Sequence, residues 1–227
     1  MTELRLALFD FDGTLCDSAA TIIRTLQAAF EQYELTPPTD SDIRGQIGAS
    51  LMPIVLGLID NDEVLATKIF HTYREIYAKG TARKDIDAPP LFTGARKALS
   101  ELQAAGWLTA IITNKGRHGL DHGMHHNGLD GLVDGSICID EVAAKPAPDM
   151  ALEMIKRFGV EARNTILIGD TVIDAGCASN AHIAFVGVEW GYHEIAALRD
   201  AGAAEILTSF DGVPDILDGI LQKGRGA

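Results

Sequence analysis

Cysteine is scarce in this chain. Cys16, Cys138 and Cys177 are odd in number and widely spaced, so neither a disulfide framework nor a paired C-x-x-C zinc module is available. Positive charge is short as well. Nineteen Lys and Arg stand against 32 Asp and Glu, and a formal charge of −13 repels nucleic acid and anionic lipid, so neither is an expected partner. No apolar run approaches the roughly 18 residues of a membrane span. The short apolar stretch between Glu3 and Asp10 does not read as a secretory signal, so a reducing cytoplasm is the expected location. No internal repeat or low-complexity tract is visible, and the terminal Gly-Arg-Gly-Ala is expected to fray.

What remains is an ordinary globular composition, 47% hydrophobic and 22% charged, at a length of 227 residues that suits one domain or a domain carrying an insert. Short apolar runs alternate with helical patterns. Strands are expected at Leu4 to Phe11, Trp107 to Thr113, Thr165 to Gly169 and Ile183 to Val188, with weaker ones at Ile137 to Ile139 and Glu205 to Leu207. Helices are expected at Ala95 to Ala105, Pro148 to Phe158, Val172 to Ala181 and His193 to Ala201. Continuous apolar strands imply cover on both faces, hence an α/β fold with a parallel sheet. From Ser18 to Lys84 the rhythm breaks into helical patterns alone, such as Ile22, Ile23, Leu26 and Phe30, which reads as a helical insert. Leu15 to Ser18 and Asp85 to Pro90 are the two crossings between insert and core, a natural hinge.

The acids sit where the strands end. Phe9-Asp10-Phe11-Asp12-Gly13-Thr14-Leu15 closes the first strand. With each residue type at about 6%, D-x-D-G-T arises by chance on the order of a few times per thousand chains of this length. Thr113-Asn114-Lys115 ends a second strand, Gly169-Asp170 with Asp174 ends a third, and Lys145 lies in Ala144-Lys145-Pro146-Ala147-Pro148, stiffened by two prolines. In an open α/β sheet these strand ends share one rim, where ligands bind. Asp10, Asp170 and Asp174 would repel one another there unless a hard divalent cation with oxygen ligands neutralised them, and Mg²⁺ fits best. Acids, one Lys, one Thr and backbone amides together describe a phosphoryl-transfer site, in which a carboxylate can act as nucleophile.

These motifs resemble those of the haloacid dehalogenase superfamily in its phosphatase branch. D-x-D-G-T-L-x-D-S at Asp10 to Ser18, T-N-K at Thr113 to Lys115, K-P-x-P at Lys145 to Pro148 and G-D-x-x-x-D at Gly169 to Asp174 stand in family order. Trp190-Gly191-Tyr192 is similar to the phosphoglycolate phosphatase group and related pyrophosphatases. The resemblance implies a Rossmann-like core with helices on both faces (residues 1–15 and 88–227) and a small all-helical cap (16–87) inserted after the first strand. It implies that Asp10 attacks phosphorus, that Asp12 is general acid and base, and that Lys145 bridges Asp10 and the phosphoryl group. Thr113, Asn114 and backbone amides around Gly13 would hold phosphate oxygens. The metal, Mg²⁺, would be held by Asp10, the carbonyl of Asp12 and Asp170, with Asp174 as a ligand through water or as a partner of those ligands; whether Asp174 also binds the ion directly is left open.

Two departures bear on this. His182 stands where the family usually has Gly, and His tolerates positive φ better than most residues. Ile22 occupies the place of the mutases' acid/base His, which argues against a sugar-phosphate mutase, while Asp12 argues against a dehalogenase.

In the insert, Arg44 either grips a substrate carboxylate or second phosphate bidentately or is a solvated helix residue. Arg24, Lys79, Arg83 and Lys84 are weaker candidates. His118, His122, His125 and His126 read as an exposed helix rather than a zinc site, Cys16 as a small apolar filler, and Trp190 and Tyr192 as loop packing. The expectation is a Mg²⁺-dependent phosphomonoester hydrolase acting on a small phosphorylated metabolite, with 2-phosphoglycolate first. The alternatives are pyrophosphate, a nucleotide or a sugar phosphate and, from another class, a non-catalytic phospho-acceptor. The oligomeric state is not legible.

Overall fold

A computed structural model describes residues 3–83, 86 and 88–224. Expected features at Lys84, at positions 85 and 87 of the second crossing, and at the chain end past Gly224 lie outside them. The strands are β1 (Arg5–Phe9), β2 (Trp107–Thr113), β3 (Gly135–Cys138), β4 (Thr165–Gly169), β5 (Ala184–Val188) and β6 (Glu205–Leu207). They form one sheet in the order β3-β2-β1-β4-β5-β6, every pair parallel. The helices are α1 (Ala19–Glu31), α2 (Asp40–Arg44), α3 (Leu51–Leu58), α4 (Glu63–Arg83), α5 (Ala95–Ala104), α6 (Arg117–His126), α7 (Asp149–Phe158), α8 (Val172–Asn180), α9 (Ile195–Asp200) and α10 (Val213–Gly224).

The continuous apolar strands are explained by two cores. Ala7 and Phe9 of β1 face α5, α6 and α10 through Leu99, Leu120 and Leu217, while Leu6 and Leu8 face α7, α8 and α9 through Met154, Ala178 and Leu198. Each strand is therefore buried on both sides, as a Rossmann-like α/β fold requires.

The first strand was expected to run to Phe11 but stops at Phe9. Asp10 still donates its N–H to Ile168 O at 2.9 Å; beyond it Leu15 and Cys16 both donate back to Phe11 O, and Gly13 takes φ +89° to close the turn. His182 does adopt a positive φ, 54°. α10 had no counterpart in the sequence reading, although Val213, Leu217 and Leu221 form its buried stripe at four-residue spacing.

Residues 19–83 hold helices and no strand, and they enclose an apolar cluster of their own that includes Ile23, Leu26, Phe30, Ile43, Val55 and Ile69. Thr39 and Asp42 start α2 with a reciprocal capping box. The chain leaves and re-enters the core side by side: Asp17 N donates to Pro90 O and Phe92 N to Leu15 O, both at 2.9 Å, and Cys16 bridges Leu91.

Candidate active site

The strand order reverses between β1 and β4, and that point is where open α/β sheets leave a crevice beyond the strand ends. The register Phe9↔Ile168 sets Asp10 beside Gly169 and Asp170. Residues 160 positions apart in the chain thus become neighbours through strand pairing alone. Asp174 joins them from the first turn of α8, and Lys145 from the loop before α7.

Asp10, Asp170 and Asp174 each offer a carboxylate oxygen, and these atoms lie within 4.8 Å of one another. All three are buried, as is Lys145. Lys145 Nζ is 2.8 Å from Asp10 Oδ1 and donates to Asp174 Oδ1 at 2.5 Å. Asp174 Oδ2 accepts from Thr171 N and Thr171 Oγ1, the capping box of α8, so both its oxygens are engaged by protein groups. Asp170 accepts from Thr14 Oγ1 at 2.9 Å and from Tyr192 N at 3.0 Å. Asp10 Oδ1 is buried against the Lys145 ammonium.

Three carboxylates face one ammonium, and the electrostatics reflect the excess. Burial, opposed by Lys145 and reinforced by Asp174, pushes the Asp10 carboxyl up to about 7. Burial, with Asp174 and Asp10 beside it, raises Asp170 well above the usual carboxylate range. Burial pulls Lys145 down, but Asp10 and Asp174 outweigh it and hold the lysine above its ordinary value. The donor set suits a cation: a hard oxygen set gathered within 4.8 Å and surplus negative charge fit Mg²⁺. The backbone makes way for the Asp170 side chain at two glycines, where a Cβ on Gly13 would come 2.3 Å from Asp170 Oδ2 and one on Gly191 would come 2.1 Å from Asp170 Cβ.

Asp12 lines the cavity above this cluster, and both its oxygens accept from Lys115 Nζ, at 3.1 and 3.0 Å. Burial opposes the Lys115 charge, but the Asp12 pair leads the interactions that hold it above the ordinary value. Thr113 is buried at the end of β2 and accepts from Lys115 N at 3.2 Å. Asn114 departs from expectation. Its Nδ2 donates to Gly48 O and Lys145 O, and its Oδ1 accepts from Lys145 N, so its side chain ties three chain segments together. Arg44 is exposed, its guanidinium 5.9 Å from the Tyr192 ring centre, and it is not among the residues lining the cavity. Of the two readings it had in the sequence, this arrangement matches the solvated one.

A model of the family described as haloacid dehalogenase-like hydrolase matches residues 7–188, most of the chain. The chain belongs to that family. It is 30% identical over 213 residues to a protein of Dickeya dadantii named probable phosphatase IndB, covering 92% of this chain and 91% of that one. It is 26% identical to a phosphoglycolate phosphatase of Agrobacterium fabrum, covering 98% and 96%. A haloacid dehalogenase-like family hydrolase from Streptococcus pneumoniae superposes with a TM-score of 0.81 at 23% identity, over 95% of this chain and 99% of that one.

Several residues that shape this hydrolase's site escaped the sequence reading. Thr14 and Lys115 stood inside quoted motifs without a role. Thr171 and Tyr192 act by hydrogen bonds that only the fold reveals; the Tyr192 hydroxyl accepts from Ser18 N at 3.1 Å while its own N–H holds Asp170. Trp190 Nε1 donates to Thr14 O and its ring packs on Phe92 and Phe210, in agreement with loop packing. The rim opens into a cavity of about 610 Å³, whose far wall comes from the helical insert and includes Ile47, Phe70, Tyr73 and Tyr77. Arg74 lines it too, 3.6 Å from Asp140. The sequence carries no signal for that wall, because its members lie on the inward stripe of α4 and in the loops around α3.

Proposed function

We propose that this hydrolase is a Mg²⁺-dependent phosphomonoesterase with Asp10 as its nucleophile. The observation that carries the reading is the buried Asp10 carboxylate, held against Lys145 and clustered with Asp170 and Asp174, at the floor of a cavity. A carboxylate oxygen of Asp10 attacks phosphorus and the ester P–O bond breaks. Asp12 gives its proton to the leaving oxygen. Asp12 then takes a proton from a water whose oxygen displaces Asp10 from phosphorus, releasing inorganic phosphate and restoring the carboxylate. Lys145 keeps Asp10 oriented and offsets part of the negative charge that develops on the phosphoryl oxygens. Thr113, with the backbone N–H groups of Gly13 and Asn114, holds those oxygens. Asp10, Asp170 and the carbonyl of Asp12 would hold the Mg²⁺, with Asp174 reaching it through water. When bound, that ion supplies charge neutralisation between carboxylates and phosphate.

The helices of residues 16–87 act as a cap on the core of 1–15 and 88–227, hinged at the paired crossings near Cys16 and Leu91 and excluding water when closed. A small phosphorylated metabolite is the substrate. 2-Phosphoglycolate is the compact candidate, and it demands a cation for its carboxylate. All three cysteines are free and buried, and among the described residues no helix is long and apolar enough to cross a membrane, in keeping with the cytoplasmic reading.

The test is phosphate release from p-nitrophenyl phosphate with Mg²⁺ and with EDTA. Sustained turnover that EDTA abolishes supports the enzyme. One p-nitrophenol released per chain, with the phosphate retained on the protein, would instead mark a phospho-acceptor.

A further inference from the structure

The cavity above Asp10 and Asp12 has a composition at odds with a compact, doubly anionic substrate. Its wall includes Ile22, Ile47, Met52, Ile54, Phe70 and Tyr73, supplied by α1, α3, α4 and the loop before α3. The charged groups that also line it are Asp10, Asp12, Glu75 and Asp140 against Lys115 and Arg74. Both cations are engaged: Lys115 Nζ lies on the two oxygens of Asp12, and Arg74 lies 3.6 Å from Asp140 with its guanidinium 5.7 Å from the Phe70 ring centre. The acids are paired in turn, Asp10 with Lys145, Asp12 with Lys115, Glu75 with Lys79 and Asp140 with Arg74, so a second carboxylate or phosphate on the substrate would find no cation in the wall without an acid already on it. The volume, about 610 Å³, falls within the roughly 300–1,000 Å³ of pockets that enclose whole organic molecules, and a two-carbon acid would leave most of its apolar lining wet. Tyr77 adds one neutral polar group to this wall, its hydroxyl buried without a hydrogen-bond partner.

Building on the phosphatase reading, we propose that the substrate is a phosphomonoester of an uncharged, largely apolar alcohol, aromatic or branched-aliphatic, whose body fills this wall while its phosphate meets Asp10. The second anionic group of 2-phosphoglycolate or pyrophosphate is what the site selects against. Each additional methylene seated in such a pocket is worth roughly tenfold or more in specificity.

The experiment compares kcat/KM of the full-length protein in Mg²⁺ for benzyl phosphate, hexyl phosphate and 2-phosphoglycolate. All three have alkoxide leaving groups, so intrinsic reactivity does not decide the ranking, and p-nitrophenyl phosphate serves as the activated control. The expected result is a preference of about tenfold or more for benzyl or hexyl phosphate over 2-phosphoglycolate. A smaller ratio, or a reversed one, overturns the substrate assignment while leaving the phosphatase reading intact, provided the activated ester is cleaved. If the activated ester is not cleaved either, the phosphatase reading falls and takes the assignment with it. Met52→Lys places an unpaired cation in the wall at a half-exposed position and should narrow the benzyl-to-phosphoglycolate ratio by about tenfold. An unchanged ratio in that variant, with the activated ester still cleaved, counts against the proposal.

Discussion

The floor and the wall of the cavity are built on opposite physical terms. At the floor Asp10, Asp170, Asp174 and Lys145 are charged and buried, and their positions follow from strand pairing and one helix cap. The wall is apolar, partly exposed, and set by side-chain packing of α1, α3 and α4 on their own small core. A floor of buried charges tolerates almost no change, because each group is either another's partner or its repulsion. A wall of apolar contacts can be remodelled one side chain at a time at a cost near that of the atoms removed. The proposed function thus binds chemistry to the core and selectivity to the helical insert.

The sharpest way to break that division is at Asp10. Asp10→Asn keeps the shape but removes the attacking oxygen, and phosphate release should fall by about 10⁴-fold or more for every ester, large or small. A loss that depended on the ester would put chemistry partly in the wall. Asp12→Asn ranks next: kcat/KM, which reports the steps through phosphoryl transfer to Asp10, should drop by roughly 10² to 10⁴, the range of general acid–base catalysis. The drop should shrink for p-nitrophenyl phosphate, whose leaving group needs little protonation. An equal drop for activated and alkyl esters would remove the acid role.

How much of this was readable beforehand divides along the same line. Asp10, Asp12, Lys145, Asp170 and Asp174 announce themselves because polar residues at the ends of apolar strands are conspicuous, and strand order does the rest. The six-stranded parallel sheet and the helical insert were legible for the same reason, through periodicity. Asn114 was legible as a site residue but not in its contacts: that its amide spans Gly48 and Lys145 depends on how two loops approach, which no spacing encodes. Arg44 was chosen for its charge and loop setting, yet it is Arg74, one of many cations on a long helix, that reaches the cavity. Helix rotation decides such cases, and a half-exposed helix with a weak apolar stripe does not reveal its rotation in sequence.

Stability offers a third cut. Lys145→Met leaves Asp10 and Asp174 without their shared ammonium, and removing one member of a buried pair costs about 3–5 kcal/mol. Urea unfolding at pH 8 should show that loss. At pH 5 the loss should be smaller, because the orphaned acids can then take up protons. A pH-independent loss would mean that packing, not charge, is what Lys145 supplies. Asn114→Ala belongs to floor and wall at once. It removes the amide that holds Gly48 of the insert against the Lys145 loop, and a cost of about 1–3 kcal/mol is expected from the bonds left unmade. Because it loosens both regions, kcat should fall and KM rise together; a change in KM alone would confine its role to the wall.

The smallest effect tests the floor's surplus charge directly. Burial pushes the Asp10 carboxyl up to about 7 in the folded chain, against an ordinary value of 3.8. A folded-state pKa above the unfolded one means that the native state binds the proton more tightly. The stabilisation is complete below pH 3.8 and is lost as pH rises through 7, with a slope of at most about 1.4 kcal/mol per pH unit for one proton. Metal-free protein should therefore melt at progressively lower temperature between pH 5 and pH 8. A divalent cation competes with that proton for the same oxygens, so the rise in Tm on adding Mg²⁺ over EDTA should be larger at pH 8 than at pH 5. Thermal melts at the two pH values, with and without the ion, measure the difference. An equal or larger Mg²⁺ effect at pH 5 would show that the ion does not replace a proton at this floor. The surplus of carboxylates over Lys145 would then be held by something other than a metal.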